Sequence, residues 1–223
     1  MIVKIKRQDR PGDKPYWQSF NVDISGDATV AALLDQLNYE GDPMDTDGNV
    51  ARRIRWECSC MQKACGACAM IINGRPALAC DTFLRDIKGD LVLEPLSKFR
   101  VVSDLVVDRG IIHENLEELY LEGPARYKPK EYEHQYTAAK CLKCGLCLEV
   151  CPNYMQGENF FGALFANEVY LTASQSGKER QKPIKVLYNK SFSAGCSKAL
   201  SCSKVCPVQI PTLASIAKMN RKR

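Results

Sequence analysis

Histidine is scarce in this chain, with only His113 and His134 among 223 residues. Neither lies near a cysteine pair, so a Rieske-type centre with two histidine ligands is not supported, and both read as ordinary exposed side chains. Long apolar runs are missing as well: no eighteen consecutive apolar residues occur, so no segment is expected to span a membrane by itself. The opening M-I-V-K-I-K-R-Q-D-R is charged and strand-like, not an apolar stretch with a cleavage site, so no secretory signal is expected. Nor is there a Ser-His-Asp arrangement, a Gly-rich phosphate loop or a helix-borne zinc pair.

Cysteine is plentiful, at twelve residues. Clustered cysteines without a secretory signal point to metal binding in a reducing compartment more than to a disulfide framework. The net charge of +5 is unevenly spread: residues 1–104 carry 14 Lys/Arg against 15 Asp/Glu, residues 105–223 carry 17 against 11. A basic half suits nucleic acid, an anionic membrane surface or an acidic partner subunit. The plainer reading is a solvated surface ending in a basic tail at Lys218, Arg221, Lys222 and Arg223.

Residues 2–6 and 16–24 alternate in polarity on either side of the turn-forming R-P-G-D-K-P, which predicts a hairpin. Asp27 or Thr29 could cap a following helix with Val30, Leu33, Leu34 and Leu37 on one face. The loop 40–50 then leads to Cys60, Cys65, Cys68 and Cys80, in the plant-type [2Fe–2S] spacing C-x4-C-x2-C followed by a distant cysteine. Such a loop must bring backbone N–H groups to the cluster sulfurs, and Gly66 allows close approach there. Asn73–Gly74 predicts a tight turn that returns Cys80 to the loop. Zinc is the rival, but it favours two close cysteine pairs and only one can be drawn. Cys58 is left over and reads as a buried free thiol. Its neighbour Trp56 reads as core.

A domain boundary is expected between Asp104 and Asp108, giving 1–104 and 105–223. Beyond it, Ile112, Leu116, Leu119 and Tyr120 have helical spacing, broken by G-P-A-R-Y-K-P-K, and a charged helix over E-Y-E-H-Q-Y-T-A-A-K follows. Cys141, Cys144, Cys147 and Cys151 with Pro152 form C-x2-C-x2-C-x3-C-P, the run whose fourth cysteine serves the other cluster of a two-cluster protein. The same template laid on Cys196, Cys202, Cys206 and Pro207 matches everywhere except Ala199, which takes the second ligand position. Exchanging fourth ligands gives Cys141, Cys144, Cys147 and Cys206 to a [4Fe–4S] cluster. Cys151, Cys196 and Cys202 remain, and three thiolates suit a [3Fe–4S] cluster; a [4Fe–4S] cluster with water at its odd corner is the alternative. Between the two runs the chain reads as helical after Gly162, with Phe160, Phe161, Leu164 and Phe165 in the core. A polar connection over S-G-K-E-R-Q-K-P follows, and a last helix opens at Pro211.

These three motifs in this order resemble the iron–sulfur subunit of succinate dehydrogenases and fumarate reductases, over nearly the whole chain. The resemblance implies an α+β architecture, with an N-terminal β-grasp, plant-type ferredoxin domain followed by an all-α ferredoxin-like domain. It implies that all eleven ligand cysteines carry over. It also implies an FAD-bearing flavoprotein partner near the [2Fe–2S] cluster, and a membrane-anchor, cytochrome b-type partner with quinone or haem b near the [3Fe–4S] cluster. Electrons would then run between flavin and quinone through the three clusters, with the dicarboxylate chemistry on the flavoprotein. The place implied is the cytoplasmic face of the cell membrane, peripherally, with no nucleic-acid role. Ubiquinone-reducing members have Trp and His where this chain has Gln156 and Ser197, so a ubiquinone site of that kind is not expected. The segment C-L-E-V-C-P-N-Y resembles the menaquinone-linked members with a haem-bearing anchor, which makes menaquinone the expected quinone. The competing class is a free two-domain ferredoxin-type carrier, though such carriers are usually small and acidic.

Overall fold

Strand β1 (Ile2–Arg7) buries every second residue, Val3, Ile5 and Arg7, in the period of two that a half-buried strand requires. A computed structural model describes residues 1–39, 41–119 and 131–221, and it divides into two units, Met1–Asp108 and Arg109–Arg223. The expected break at G-P-A-R-Y-K-P-K and the tail residues Lys222 and Arg223 lie outside the described residues.

In the first unit β1 pairs antiparallel with β2 (Tyr16–Asn21), as the alternating runs predict. Helix α1 (Val30–Tyr39) follows, capped by Thr29, whose Oγ1 accepts the Ala32 N–H at 3.2 Å. Asp27, the other candidate cap, instead meets Arg85 at 2.7 Å. Val30, Leu33 and Leu34 are buried while Leu37 is half-buried. Strands β3 (Ala69–Ile72) and β4 (Arg75–Leu78) turn on Asn73 and Gly74, with φ of 46° and 73°, a conformation that suits these two residues. With β5 (Leu91–Glu94), parallel to β1 and antiparallel to β3, they form a mixed five-stranded sheet ordered β2-β1-β5-β3-β4.

A second hairpin, β6 (Arg100–Ser103) and β7 (Val106–Asp108), completes this unit. The division therefore falls after Asp108, four residues beyond a cut at 104, because a cut there would separate two paired strands.

The described part of the second unit is helical. The spacing read over 109–120 gives a short α2 (Gly110–Glu114) and then a 3-10 turn at Glu117–Leu119, with Ile112, Leu116 and Leu119 buried. Helices α3 (Tyr132–Ala139) and α4 (Leu146–Glu149) flank the first cysteine run. Helix α5 (Gly162–Gln175) is buried on nearly all sides in its first half, which makes it the central helix of the unit. Leu164 and Phe165 lie in the core as expected, while Phe160 is half-buried and stacks on Phe192 at 5.5 Å.

The stretch read as a polar connection is instead helix α6 (Lys178–Tyr188), continuing into a π-helical turn at Asn189–Ser193. Pro183 removes one N–H from this helix, but burial of Ile184, Leu187 and Tyr188 along one face holds it in place. Helices α7 (Ser201–Val205) and α8 (Thr212–Arg221) close the chain. Lys218, read as part of a solvated tail, is half-buried, with its ammonium 5.2 Å from the Tyr170 ring centre.

Candidate metal centres

In the first unit, the loop carrying Cys60, Cys65 and Cys68 takes positive φ at Met61 (54°), Lys63 (61°) and Gly66 (77°). These reversals turn backbone N–H groups inward, as anion-holding nests do. Gln62 and Ala64 donate to Cys60 Sγ at 3.4 and 3.2 Å, Lys63 donates to Cys80 Sγ at 3.3 Å, and Ala67 donates to Cys65 Sγ at 3.4 Å. The β3–β4 turn brings Cys80 back until its Sγ is 3.4 Å from Cys68 Sγ. All four predicted cysteines thus belong to one loop-and-hairpin construction.

The second unit repeats one backbone form twice. In the first run Lys143 and Gly145 have φ of 52° and 85°; in the second, Lys198 and Leu200 have 61° and 62°. Counted from Cys141 and Cys196, these are the same two positions, and a short helix follows each time. Ala199 therefore stands on the backbone where Cys144 stands, as the overlay of the two runs predicts.

Two cavities lie beside these turns. One, of about 430 Å³ including its open mouth, is lined by Cys141, Cys144, Cys147 and Cys206, together with Cys202, Leu164 and Asn167. The other, of about 340 Å³ on the same measure, is lined by Cys151, Cys196 and Cys202, with Ala199 among them. Each predicted set is brought together, and Cys202 borders both cavities. Among the described residues no three His, Cys, Asp or Glu side chains converge as the ligands of a single ion would. The thiols ring volumes instead, and that arrangement, with N–H groups aimed at sulfur, fits iron–sulfur clusters.

The thiol electrostatics differ from one cysteine to another. Cys60 is drawn down to about 7 by the N–H groups of Gln62 and Ala64. Burial pushes Cys68 up to about 12, Cys141 up to about 11, and Cys147 well above its ordinary value. A thiol ligates as the thiolate, so metal loading at these buried positions must release protons.

Three side chains depart from expectation. Cys58 is exposed, because it sits on the irregular stretch outside the sheet instead of under it. Trp56, expected in the core, is half-buried. His113 is exposed as read, but His134 is half-buried: its Nε2 lies 2.9 Å from Ser215 Oγ and its ring is 4.4 Å from that of Tyr170. Sequence reading also missed Asn167, which sits on the buried first half of α5 and lines the four-thiol cavity.

A family profile described as a 2Fe-2S iron-sulfur cluster binding domain matches residues 2–114, and one described as a 4Fe-4S dicluster domain matches 137–210. The succinate dehydrogenase iron-sulfur subunit of Bacillus subtilis (strain 168) is 30% identical over 97% of this chain and 90% of its own length. The chain belongs to the family of succinate dehydrogenase and fumarate reductase iron–sulfur subunits. The fumarate reductase iron-sulfur subunit of Wolinella succinogenes is a further relative, 28% identical over 94% of this chain and 90% of that protein. A chain of the Mycobacterium smegmatis Sdh1 complex superposes with a TM-score of 0.79 at 20% identity, covering 99% of this chain and 94% of that one. At that identity the likeness shows the fold, and it extends across both units. No helix of the described residues is long and apolar enough to cross a membrane.

Proposed function

We propose that this chain is the electron-transfer subunit of a succinate dehydrogenase or fumarate reductase complex. In this reading Cys60, Cys65, Cys68 and Cys80 hold a [2Fe–2S] cluster. Cys141, Cys144, Cys147 and Cys206 hold a [4Fe–4S] cluster, and Cys151, Cys196 and Cys202 hold a [3Fe–4S] cluster. The observation that carries it is the doubled backbone of the two cysteine runs, each beside its own cavity, with Ala199 in the place of a fourth thiol. When bound, such clusters accept and donate single electrons at potentials set by ligand type, hydrogen bonds to sulfur and burial.

The residues of the chain have three tasks. The cysteines fix the positions of the redox centres, the inward N–H groups of the first loop stabilise negative charge at sulfur, and the apolar lining around Leu164 keeps water away. The finer fold reading is a β-grasp ferredoxin-type domain followed by an all-α ferredoxin-like domain. It is supported by the mixed five-stranded sheet with helix α1 between its second and third strands in the chain, and by the helical second unit.

The partners are an FAD-bearing flavoprotein, where the dicarboxylate chemistry takes place, and a membrane-anchor subunit of cytochrome b type that carries quinone or haem b. Anchoring of that kind places the chain peripherally on the cytoplasmic face of the cell membrane. The exposed Gln156 and Ser197, which replace the Trp and His of ubiquinone-reducing members, speak against a ubiquinone site of that kind, and the likeness of C-L-E-V-C-P-N-Y to menaquinone-linked members supports menaquinone. The test is low-temperature EPR on the purified complex. Three signals are expected, among them one present only when the [3Fe–4S] centre is oxidised, and the chain should co-purify with a flavin-containing protein and a membrane protein. A chain that elutes alone, or lacks the oxidised-state signal, would overturn the assignment.

A further inference from the structure

Asn167 sits on α5 at 1% exposure, and its amide oxygen and nitrogen each have one partner. Its Oδ1 lies 3.2 Å from Ser215 Oγ, and its Nδ2 donates to the Ala138 carbonyl at 3.1 Å. The orientation of the amide follows from chemistry: a carbonyl oxygen only accepts, so the nitrogen must face Ala138. Ser215 can donate to Oδ1 while accepting from His134 Nε2, with the Pro211 carbonyl, 3.3 Å away, as the other acceptor within its reach.

An amide nitrogen carries two hydrogens, and only one is used by Ala138. The second has no partner among the described residues. A buried N–H without an acceptor loses its hydration with nothing in return, so an acceptor is to be expected nearby. Asn167 lines the cavity ringed by Cys141, Cys144, Cys147 and Cys206. We infer that Asn167 donates its second amide hydrogen to a sulfur of the group held by those four thiolates, and so raises its reduction potential. The reason is electrostatic: reduction adds negative charge at sulfur, and a hydrogen bond to a more negative acceptor is stronger. The inference rests on the four cysteines holding a [4Fe–4S] cluster, as proposed above.

The experiment is an EPR-monitored redox titration of the assembled complex, with Asn167→Leu and Ser215→Ala beside the wild type. Asn167→Leu keeps the approximate volume and removes the donor. At a fixed potential near the midpoint it should cut the reduced-to-oxidised ratio of the [4Fe–4S] centre about tenfold, a downward shift of 59 mV for one electron. Ser215→Ala removes the support on Oδ1 but leaves the donor, so the potential should stay within a factor of two of wild type. Pulsed EPR of wild-type complex labelled with 15N in asparagine side chains should detect a nitrogen coupled to the reduced cluster. This second measurement decides the matter if Asn167→Leu fails to assemble. An unchanged ratio in Asn167→Leu, equal shifts in both variants, or no 15N coupling would overturn the inference while leaving the cluster assignment intact. Absence of any [4Fe–4S] signal in the wild type would overturn both.

Discussion

Arg7 Nε lies 2.9 Å from Asp104 Oδ1, across 97 residues of sequence, with both side chains fully buried. The carboxylate also accepts from the Gln8 N–H at 3.1 Å, the Arg55 N–H at 2.9 Å, and both terminal nitrogens of Arg52 at 2.9 and 2.7 Å. One buried charge thus ties the end of β1 and the β6–β7 turn to the segment that leads into the first cysteine loop. Removing one partner of a buried pair leaves the other charge uncompensated, which costs about 3–5 kcal/mol. Asp104→Asn should therefore lower the unfolding free energy of the first unit by that order. Denaturant titration followed through the [2Fe–2S] visible signal will measure it, and a loss smaller than about 1 kcal/mol would contradict the role given to Asp104.

Gly162 begins α5 at φ 75°, and a Cβ there would run into Leu148 Cδ2 and press on Tyr154 Cδ2 at 3.4 Å. Leu148 follows Cys147 directly, so the helix start and the first cysteine run are packed against each other. Gly162→Ala combines a left-handed backbone with overpacking and should cost about 1–3 kcal/mol, read as a lower melting temperature of the second unit. A melting temperature equal to wild type would show that α5 can shift to make room.

Cys151 belongs to the first run in sequence but to the second cavity in space, where it lies with Cys196 and Cys202. Cys151→Ser is expected to abolish or weaken the [3Fe–4S] signal while the [4Fe–4S] signal survives. The converse variant, Ala199→Cys, supplies a thiol at the position equivalent to Cys144 and should convert the centre to a four-iron form. EPR of the oxidised protein separates the outcomes. Loss of the [4Fe–4S] centre first in Cys151→Ser would reverse the proposed ligand exchange.

Burial holds the His134 imidazole below its ordinary value of 6.5, and the nearby Lys218 acts in the same direction while Glu131 opposes it. A histidine with a depressed pKa is neutral in the folded chain when the unfolded chain has already taken up a proton. Stability is therefore complete above about pH 6.5 and falls as the pH drops through the folded value. His134→Gln should flatten that dependence. Thermal midpoints of wild type and variant at about pH 7.5 and about pH 5.5 provide the check, since the two pH values bracket the ordinary histidine range. Equal losses in both proteins would place the acid sensitivity elsewhere.

The sequence by itself determined how the cysteines group into three candidate sets, because cysteine spacing and turn chemistry are local properties. C-x4-C-x2-C, the Asn73–Gly74 turn and the two runs ending in Cys-Pro can be read without knowing what lies opposite them. The hairpin of the runs at 2–6 and 16–24, of which the second strand ends at Asn21, and a helix capped at Asp27 or Thr29 were legible for the same reason, since periodicity and capping act within a few residues. Tertiary structure decided what depends on distant partners. Arg7 occupies an inward strand position because Asp104 is there to receive it, and α6 forms through Pro183 because its apolar face is buried. Cys202 comes to border two cavities only when the second run folds back on the first. Asn167 carried no signal in the sequence, because only the packing around α5 places it beside the cavity and leaves one of its amide hydrogens without another partner.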